Sequence, residues 1–281
     1  MGIPTIKIEN EKGEVLNLSA DPRYMPILTG TGPPGATINR SKVGTVDGTR
    51  YNSATVNERN LLLTVYIQRD VARARRNLYR WLGSKQYIKV YYQEDDLDVY
   101  SEGYVDDPNV NPWENQQNLS ASIICPMPYW RDVRATYTDA SIIKSLLEFP
   151  MATEADGIEL SIDDKVNSAQ IYNNGTAESG LTMVLEATTR TVNPKIYIIG
   201  TGEFIGFDVE LTAGDRLEVC TIDGQKSVVH VRDGVRSNYI NTVMDGHTWL
   251  KLPPGVTEMS YTKEDGECKL GVYHTNMYIG V

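Results

Sequence analysis

From residue 158 to the end of the chain, short strand-like segments recur every ten or so residues, with no helical period between them. They are Gly157–Ile162, Ala169–Asn173, Leu181–Ala187, Lys195–Ile199, Phe207–Leu211, Arg216–Cys220, Ser227–Val231, Thr248–Leu252, Met259–Thr262 and Lys269–Val281. Tight-turn dipeptides punctuate them: Gly214-Asp215, Asp223-Gly224, Asp233-Gly234 and Pro254-Gly255. Glycine supplies the positive φ that such turns demand, and Asp tolerates it. Strands this short and this regularly spaced bury their alternate residues by pairing into an antiparallel sandwich. The expected fold class is therefore mainly β.

The first half is also strand-rich, with one exception. Ile3, Ile6 and Ile8 precede a turn at Lys12-Gly13, and Val15, Leu16 and Leu18 follow it. Gly30-Thr-Gly-Pro-Pro-Gly35 breaks regular structure, and Val46 to Tyr51 reads as a tight turn. Arg59 to Gln68 gives the clearest alternation: Leu61, Leu63, Val65 and Ile67 share one face, and Leu62, Thr64, Tyr66 and Gln68 the other. The exception is a helix predicted over about 70–83. Asp70 is placed to cap it, Val71, Ala74, Leu78 and Leu82 recur at helical spacing beside Trp81, and Gly83 is a natural stop. Its opposite face carries Arg73, Arg75, Arg76 and Arg80.

Beyond the helix, Tyr87–Tyr92 and Val99–Val105 read as strands joined by the acidic turn Glu94-Asp95-Asp96-Leu97-Asp98. A loop is predicted from Asp106 to Trp113, then a half-buried strand from Leu119 to Cys125. Pro126 and Pro128 end this part near Trp130. The domain reading is 1–130, a connector over 131–157 with a break at Pro150, and 158–281. A chain of 281 residues with 41% apolar side chains can supply a core for each half.

Charge narrows the function. The net charge is −10, which opposes binding to phosphates through bulk electrostatics. No apolar run reaches the length of a membrane span, so no membrane insertion is expected. The start of the chain lacks a basic segment followed by an apolar one, so no signal peptide is expected. Three widely spaced cysteines, Cys125, Cys220 and Cys268, read as reduced thiols.

Motifs for chemistry are thin. Gly30 to Gly35 matches a dinucleotide fingerprint by letter, but two prolines remove the amides that would hold a pyrophosphate and no helical period follows. Glu94, Asp95, Asp96 and Asp98 have the oxygen density of a calcium loop without its glycine and distal glutamate. His230, His247 and His274 lack metal-binding spacing. No nucleophile elbow or persuasive triad is present, so neither catalysis nor a cofactor is expected. Trp249 alternates with Lys251, which puts Leu250 and Leu252 in the core and makes Trp249 a candidate for packing, for an interface or for stacking a sugar.

Several of these features resemble phage distal tail proteins. In the second half the resemblance is carried by Asn173-Asn-Gly175, Asn193-Pro194, Gly214-Asp215, Gly224-Gln-Lys-Ser227, Asp233-Gly234 and Trp249-Leu-Lys-Leu-Pro-Pro-Gly255, in that order. In the first half it is carried by Asp47-Gly48 with Tyr51, Glu58-Arg59 before the alternating strand, Ala72-Arg73 with Leu78, and Cys125-Pro-Met-Pro-Tyr-Trp130. The resemblance implies an N-terminal ring-forming domain with one helix and a C-terminal galectin-like β-sandwich. It implies a structural hub at the virion tail tip, assembled in the bacterial cytoplasm. The partners it implies are further copies of the chain in a hexameric ring, the tail tube protein, a tail-tip protein, and a fibre or receptor-binding protein. On this reading Arg73, Arg76 and Arg80 are candidate intersubunit contacts, and Glu94, Asp95, Asp96 and Asp98 a candidate channel-facing loop. The competing reading is a glycan-binding module that recognises a host surface.

Overall fold

The computed structural model describes residues 4–110, 112–113, 116–140 and 168–281. The chain forms two compact units, one of residues 1–133 with 277–281, the other of residues 134–276.

Unit 1 contains β1 (Thr5–Asn10), β2 (Val15–Asn17), β3 (Tyr24–Thr29), β4 (Ala36–Ser41), β5 (Arg50–Val56), β6 (Arg59–Ile67), α1 (Val71–Trp81), β7 (Tyr87–Glu94), β8 (Leu97–Val110), β9 (Asn118–Cys125) and β10 (Trp130–Asp132). Its main sheet runs β2-β1-β7-β8-β9-β6-β3, all antiparallel, so among the described residues β3 is an open edge. The alternation in β6 is realised: Leu61, Leu63, Val65 and Ile67 are buried against Leu119, Ala121 and Ile123 of β9 and Ala74 and Leu78 of α1. Each such leucine contributes about 1.5–3 kcal/mol through burial. Tyr24 ties the helix to the edge strand: its hydroxyl donates to the Ala74 carbonyl and accepts from Asn77 Nδ2.

Three local expectations need correction. Asp70 does not cap α1 with its carboxylate. Its backbone is left-handed (φ 50°), and it is the Asp70 carbonyl that accepts from the amides of Arg73 and Ala74. Val71 lies outside the buried stripe, which is Ala74, Leu78 and Leu82. The stretch after Asp106 is strand rather than loop, because β8 accommodates Asp106 and Asp107 as a bulge and then pairs Pro108 to Val110 with β9. A bulge is where a strand tolerates proline.

Unit 2 contains β11 (Thr136–Asp139), β12 (Ser168–Asn173), β13 (Ser179–Ala187), β14 (Thr191–Val192), β15 (Lys195–Ile198), β16 (Phe204–Gly206), β17 (Glu210–Leu211), β18 (Arg216–Cys220), β19 (Ser227–Arg232), β20 (Val235–Asn238), β21 (Lys251–Leu252), β22 (Gly255–Thr262) and β23 (Cys268–His274). One sheet runs β11-β23-β13-β18-β19-β20 and the other β12-β22-β15-β16. Their inner faces share one core: Leu181, Met183, Leu185, Leu217, Leu270 and Val272 from the first, Ile171, Ile196, Ile198 and Met259 from the second. This is the sandwich that the strand spacing predicts. Of the predicted strand Phe207–Leu211 only Glu210–Leu211 is strand, as β17, with Phe207 in an isolated bridge to Val243, and Thr248–Leu252 shortens to β21. The predicted strand Gly157–Ile162 lies outside the described residues.

The unit boundaries depart from the domain reading. At the start of the expected connector Arg131 and Asp132 complete β10 of unit 1, and within it Thr136–Asp139 is β11 of unit 2. The run Lys269–Val281 is also divided. After β23 the chain returns to unit 1 as β24 (Met277–Tyr278), which pairs with β10. Unit 2 therefore departs and rejoins at two strands that are hydrogen-bonded to each other. The sequence does not betray this, because a strand's partner is not written in its own pattern.

Candidate functional site

The exposed features of unit 1 are concentrated on a few elements. The hairpin of β4 and β5 is the clearest. Every residue of both strands is exposed, including Ile38 at 60% and Tyr51 at 63%. Among the described residues the two strands pair only with each other. A lone two-stranded ribbon is marginal in water unless something packs on it. Its base is closed by the Asn57 amide donating to the Gly35 carbonyl at 2.9 Å and by Thr37 Oγ1 donating to Asn57 Oδ1 at 2.7 Å. The Gly30–Gly35 loop thus leads into a strand, not into the helix that a nucleotide site needs. Nearby, Met25 and Ile27 on the open edge β3 and Leu62 on β6 are each 45% exposed, an apolar outer face beside a free edge.

On α1, Arg73, Arg76 and Arg80 are exposed as the helical spacing predicts. Arg75 leaves the group: half-buried, it donates to Gln117 Oε1 at 2.9 Å. Arg80 also borders a groove of ≈ 840 Å³ lined by Lys12, Trp81, Lys85, Tyr87 and Tyr104. Glu94, Asp95, Asp96 and Asp98 occupy the β7–β8 hairpin, where Asp95 and Asp96 form the turn and Asp95 is left-handed (φ 48°). Aspartate at that place is turn chemistry, since its short side chain tolerates αL. The Tyr92 hydroxyl already donates to Glu94. Among the described residues no three His, Cys, Asp or Glu side chains gather as metal ligands.

Sequence reading missed the most heavily bonded side chain of unit 1. Arg59 is 1% exposed and is held by backbone carbonyls: Nε donates to Pro128 at 2.8 Å, Nη1 to Gly30 and Gly32 at 2.7 Å each, and Nη2 to Ile279 at 2.6 Å. Its guanidinium lies 5.4 Å from the ring centroid of buried Trp130, whose Nε1 donates to the Thr31 carbonyl. Burial pushes the Arg59 pKa down.

Unit 2 has two polar features of note. Asp215, 2% exposed, accepts from the Thr212 amide at 2.8 Å, from Thr212 Oγ1 at 2.9 Å and from both Nε and Nη2 of Arg232, with His230 Nε2 at 3.3 Å. The Arg232 guanidinium, aided by the Thr212 donors, holds its carboxyl well below the usual carboxylate range against the opposing effect of burial. The other feature is a groove of ≈ 510 Å³ lined by Glu178, Glu203, Trp249, Lys251 and Glu258. Leu250 and Leu252 are buried, as the alternation predicts. Half-buried Trp249 packs on the core, with Lys226 over its ring and His247 edge-on, each at 5.7 Å. The ring thus packs on protein and also lines the groove. The thiols of Cys125 and Cys268 are buried, and burial raises the pKa of Cys268 to about 11, so neither is a ready nucleophile.

Comparison with known proteins agrees with this architecture. The family model described as phage tail protein RIFT-related domain matches residues 11–125, and that described as siphovirus-type tail component, C-terminal domain, matches residues 174–278. No curated protein matches by sequence. Among solved structures, the Dit protein (gp 19.1) of phage SPP1, described as a paradigm of the hub adsorption apparatus of phages infecting Gram-positive bacteria, superposes with a TM-score of 0.69 at 12% identity, over 98% of this chain and 99% of that one. A chain of the phage P2 baseplate in its activated conformation with Ca gives 0.54 at 11% identity, over 100% of both chains. At such identities these likenesses speak for the fold alone. The two family models, one on each unit and together spanning most of the sequence, place this chain in the siphovirus-type distal tail protein family.

Proposed function

We propose that this chain is the structural hub of a phage tail tip, a ring in which unit 1 makes the contacts between copies and unit 2 is available to peripheral parts. The observation that carries the reading is the wholly exposed β4–β5 hairpin next to an open sheet edge. A monomer would leave the apolar side chains of this arm in water and the backbone groups of β3 unpaired, a known liability of sheet edges. A head-to-tail contact that closes into a ring covers both in every copy. Six copies is the number we propose, with the tail tube on one side and a tail-tip protein on the other. Fibre or receptor-binding proteins would dock on unit 2.

Charge supports an orientation within that ring. DNA must pass a tail channel without being held, and each Lys or Arg contact with phosphate would add affinity. The acidic hairpin Glu94, Asp95, Asp96 and Asp98 therefore faces the channel in this proposal. Arg73, Arg76 and Arg80 point away from it, toward acidic groups of a neighbouring subunit. We read no catalytic step in this role.

Arg76→Glu tests the arginine contact. We expect assembly to weaken roughly two- to tenfold in 50 mM salt and less at 500 mM, as screening shortens the reach of charge. Mass photometry across salt concentrations reads the effect. A variant that assembles like the parent at low salt removes the arginine face from the interface. A parent chain that stays monomeric, alone and with its tail partners, removes the ring.

A further inference from the structure

The end of the chain reaches the root of the arm. Arg59 sits where three segments meet: the Gly30–Gly32 loop that leads into β4, the Pro128–Trp130 segment that leads out of unit 1, and the returning tail at Ile279. The tail makes a second contact with the same loop, because the Val281 amide donates to the Thr31 carbonyl at 3.1 Å. Trp130 Nε1 donates to that same Thr31 carbonyl. Between these contacts Gly280 lies flat on the loop. A Cβ there would stand 2.9 Å from the Gly32 carbonyl carbon and 3.0 Å from Pro33 N. Only glycine allows that approach.

A guanidinium is suited to this task. Its planar fork donates to several carbonyls at fixed angles, so it sets the relative position of the segments that carry them. A carboxylate partner would neutralise the charge but fix only one point. The carbonyls of Gly30 and Gly32 belong to the six residues that separate β3 from the arm. Fixing them fixes the direction in which the arm leaves the sheet.

We infer that Arg59 and the tail Met277–Val281 are positioning elements for ring assembly: they clamp the root of the β4–β5 arm, so that the segment returning from unit 2 sets the aim of the arm. The inference rests on the arm being a contact between copies, and it assigns a part in assembly to residues that are not themselves at that contact. The clamp also gives unit 2 a covalent route to the arm, because β24 follows directly from unit 2 and leads into the residues that hold the root.

Gly280→Leu in the full chain separates this from a merely structural role. The added side chain should lift the tail from Gly32 and Pro33 while leaving the buried residues of the main core in place, since the tail adds to that core only the partly buried Tyr278 and Val281. We expect amide exchange at Asn57, the reporter at the arm base, to speed up about tenfold, and the dissociation constant for assembly to rise by about the same factor, in the range usual for coupled sites. The melting temperature of the monomer should stay close to the parent value. Ile8→Val is the control, a buried residue four strands from β6 in the sheet, which should lower stability and change neither readout. Unchanged exchange at Asn57 overturns the clamp, whatever assembly does. Faster exchange with unchanged assembly overturns the coupling. If Gly280→Leu does not fold, Gly280→Ala, which adds the Cβ alone, carries the same test. A parent chain that never assembles defeats the ring reading instead, and the exchange at Asn57 still judges the clamp.

Discussion

Replacing residues 36–56 by a short Gly-Ser linker should yield a folded protein that no longer assembles. The ends to be joined are already adjacent, since the Asn57 amide bonds to the Gly35 carbonyl. No residue of β4 or β5 belongs to the buried core of unit 1. Removing them forfeits no core packing, and surface changes of this kind shift stability by about 0.5 kcal/mol or less. The effect on assembly should be far larger. The arm brings Ile38, Val43, Val46, Tyr51 and Val56, all exposed, and Arg40, Lys42 and Arg50 against the single acid Asp47. Burying several such side chains at about 25 cal/mol per Å² supports a loss of at least a hundredfold in affinity. Light scattering gives the mass and calorimetry the stability. Rings that persist without the arm would move the contact to the β3 edge and the outer face of β6.

Asp215→Ala should be the most damaging single substitution in unit 2. It would leave the Thr212 amide and the Arg232 guanidinium without their acceptor in a site that is 2% exposed at the aspartate. Breaking a buried pair costs about 3–5 kcal/mol, and we expect the lower end because the Arg232 side chain is half in solvent. Asp215→Asn keeps the shape and should cost about 1–2 kcal/mol. Acid should have a related effect. The folded-state pKa of Asp215 lies below its unfolded value, so the carboxylate's contribution is complete above about pH 4–5. It is lost as the pH falls toward the folded value. Total fluorescence would mix Trp249 with Trp81, Trp113 and Trp130 of unit 1, so amide exchange along β18 and β19 is the readout that follows unit 2 alone. The parent should lose unit 2 stability below about pH 4 more steeply than Asp215→Asn does. Parallel acid profiles for the two proteins would show that Asp215 is not the linked group.

The contrast between what was legible and what was not follows from range. Leu61, Leu63, Val65 and Ile67 announce β6 because a half-buried strand writes its facing into every second residue. Ala74 and Leu78 announce the buried side of α1 for the same reason at helical period. The strands of the arm write nothing, since both faces are exposed and no alternation is imposed; only the turn between them was readable. The exposed face of α1 was readable at Arg73, Arg76 and Arg80. The partner that occupies Arg75 is Gln117, forty-two positions away. Arg59 was readable as the start of a strand and no more, because its acceptors are spread from Gly30 to Ile279. Asp215 was readable as a turn residue, whereas its burial depends on β19 bringing His230 and Arg232 to it. Local pattern thus revealed elements and turns, and the clusters that fix assembly and stability come from pairing across the chain.

Cryo-electron microscopy of the purified chain decides whether unit 1 builds a ring. We expect closed six-fold rings with an open centre, the β4–β5 arm of each copy lying on its neighbour, and Glu94, Asp95, Asp96 and Asp98 at the lumen. Monomers at micromolar concentration with every arm free, or rings whose central hole is lined by Arg73, Arg76 and Arg80, would contradict it.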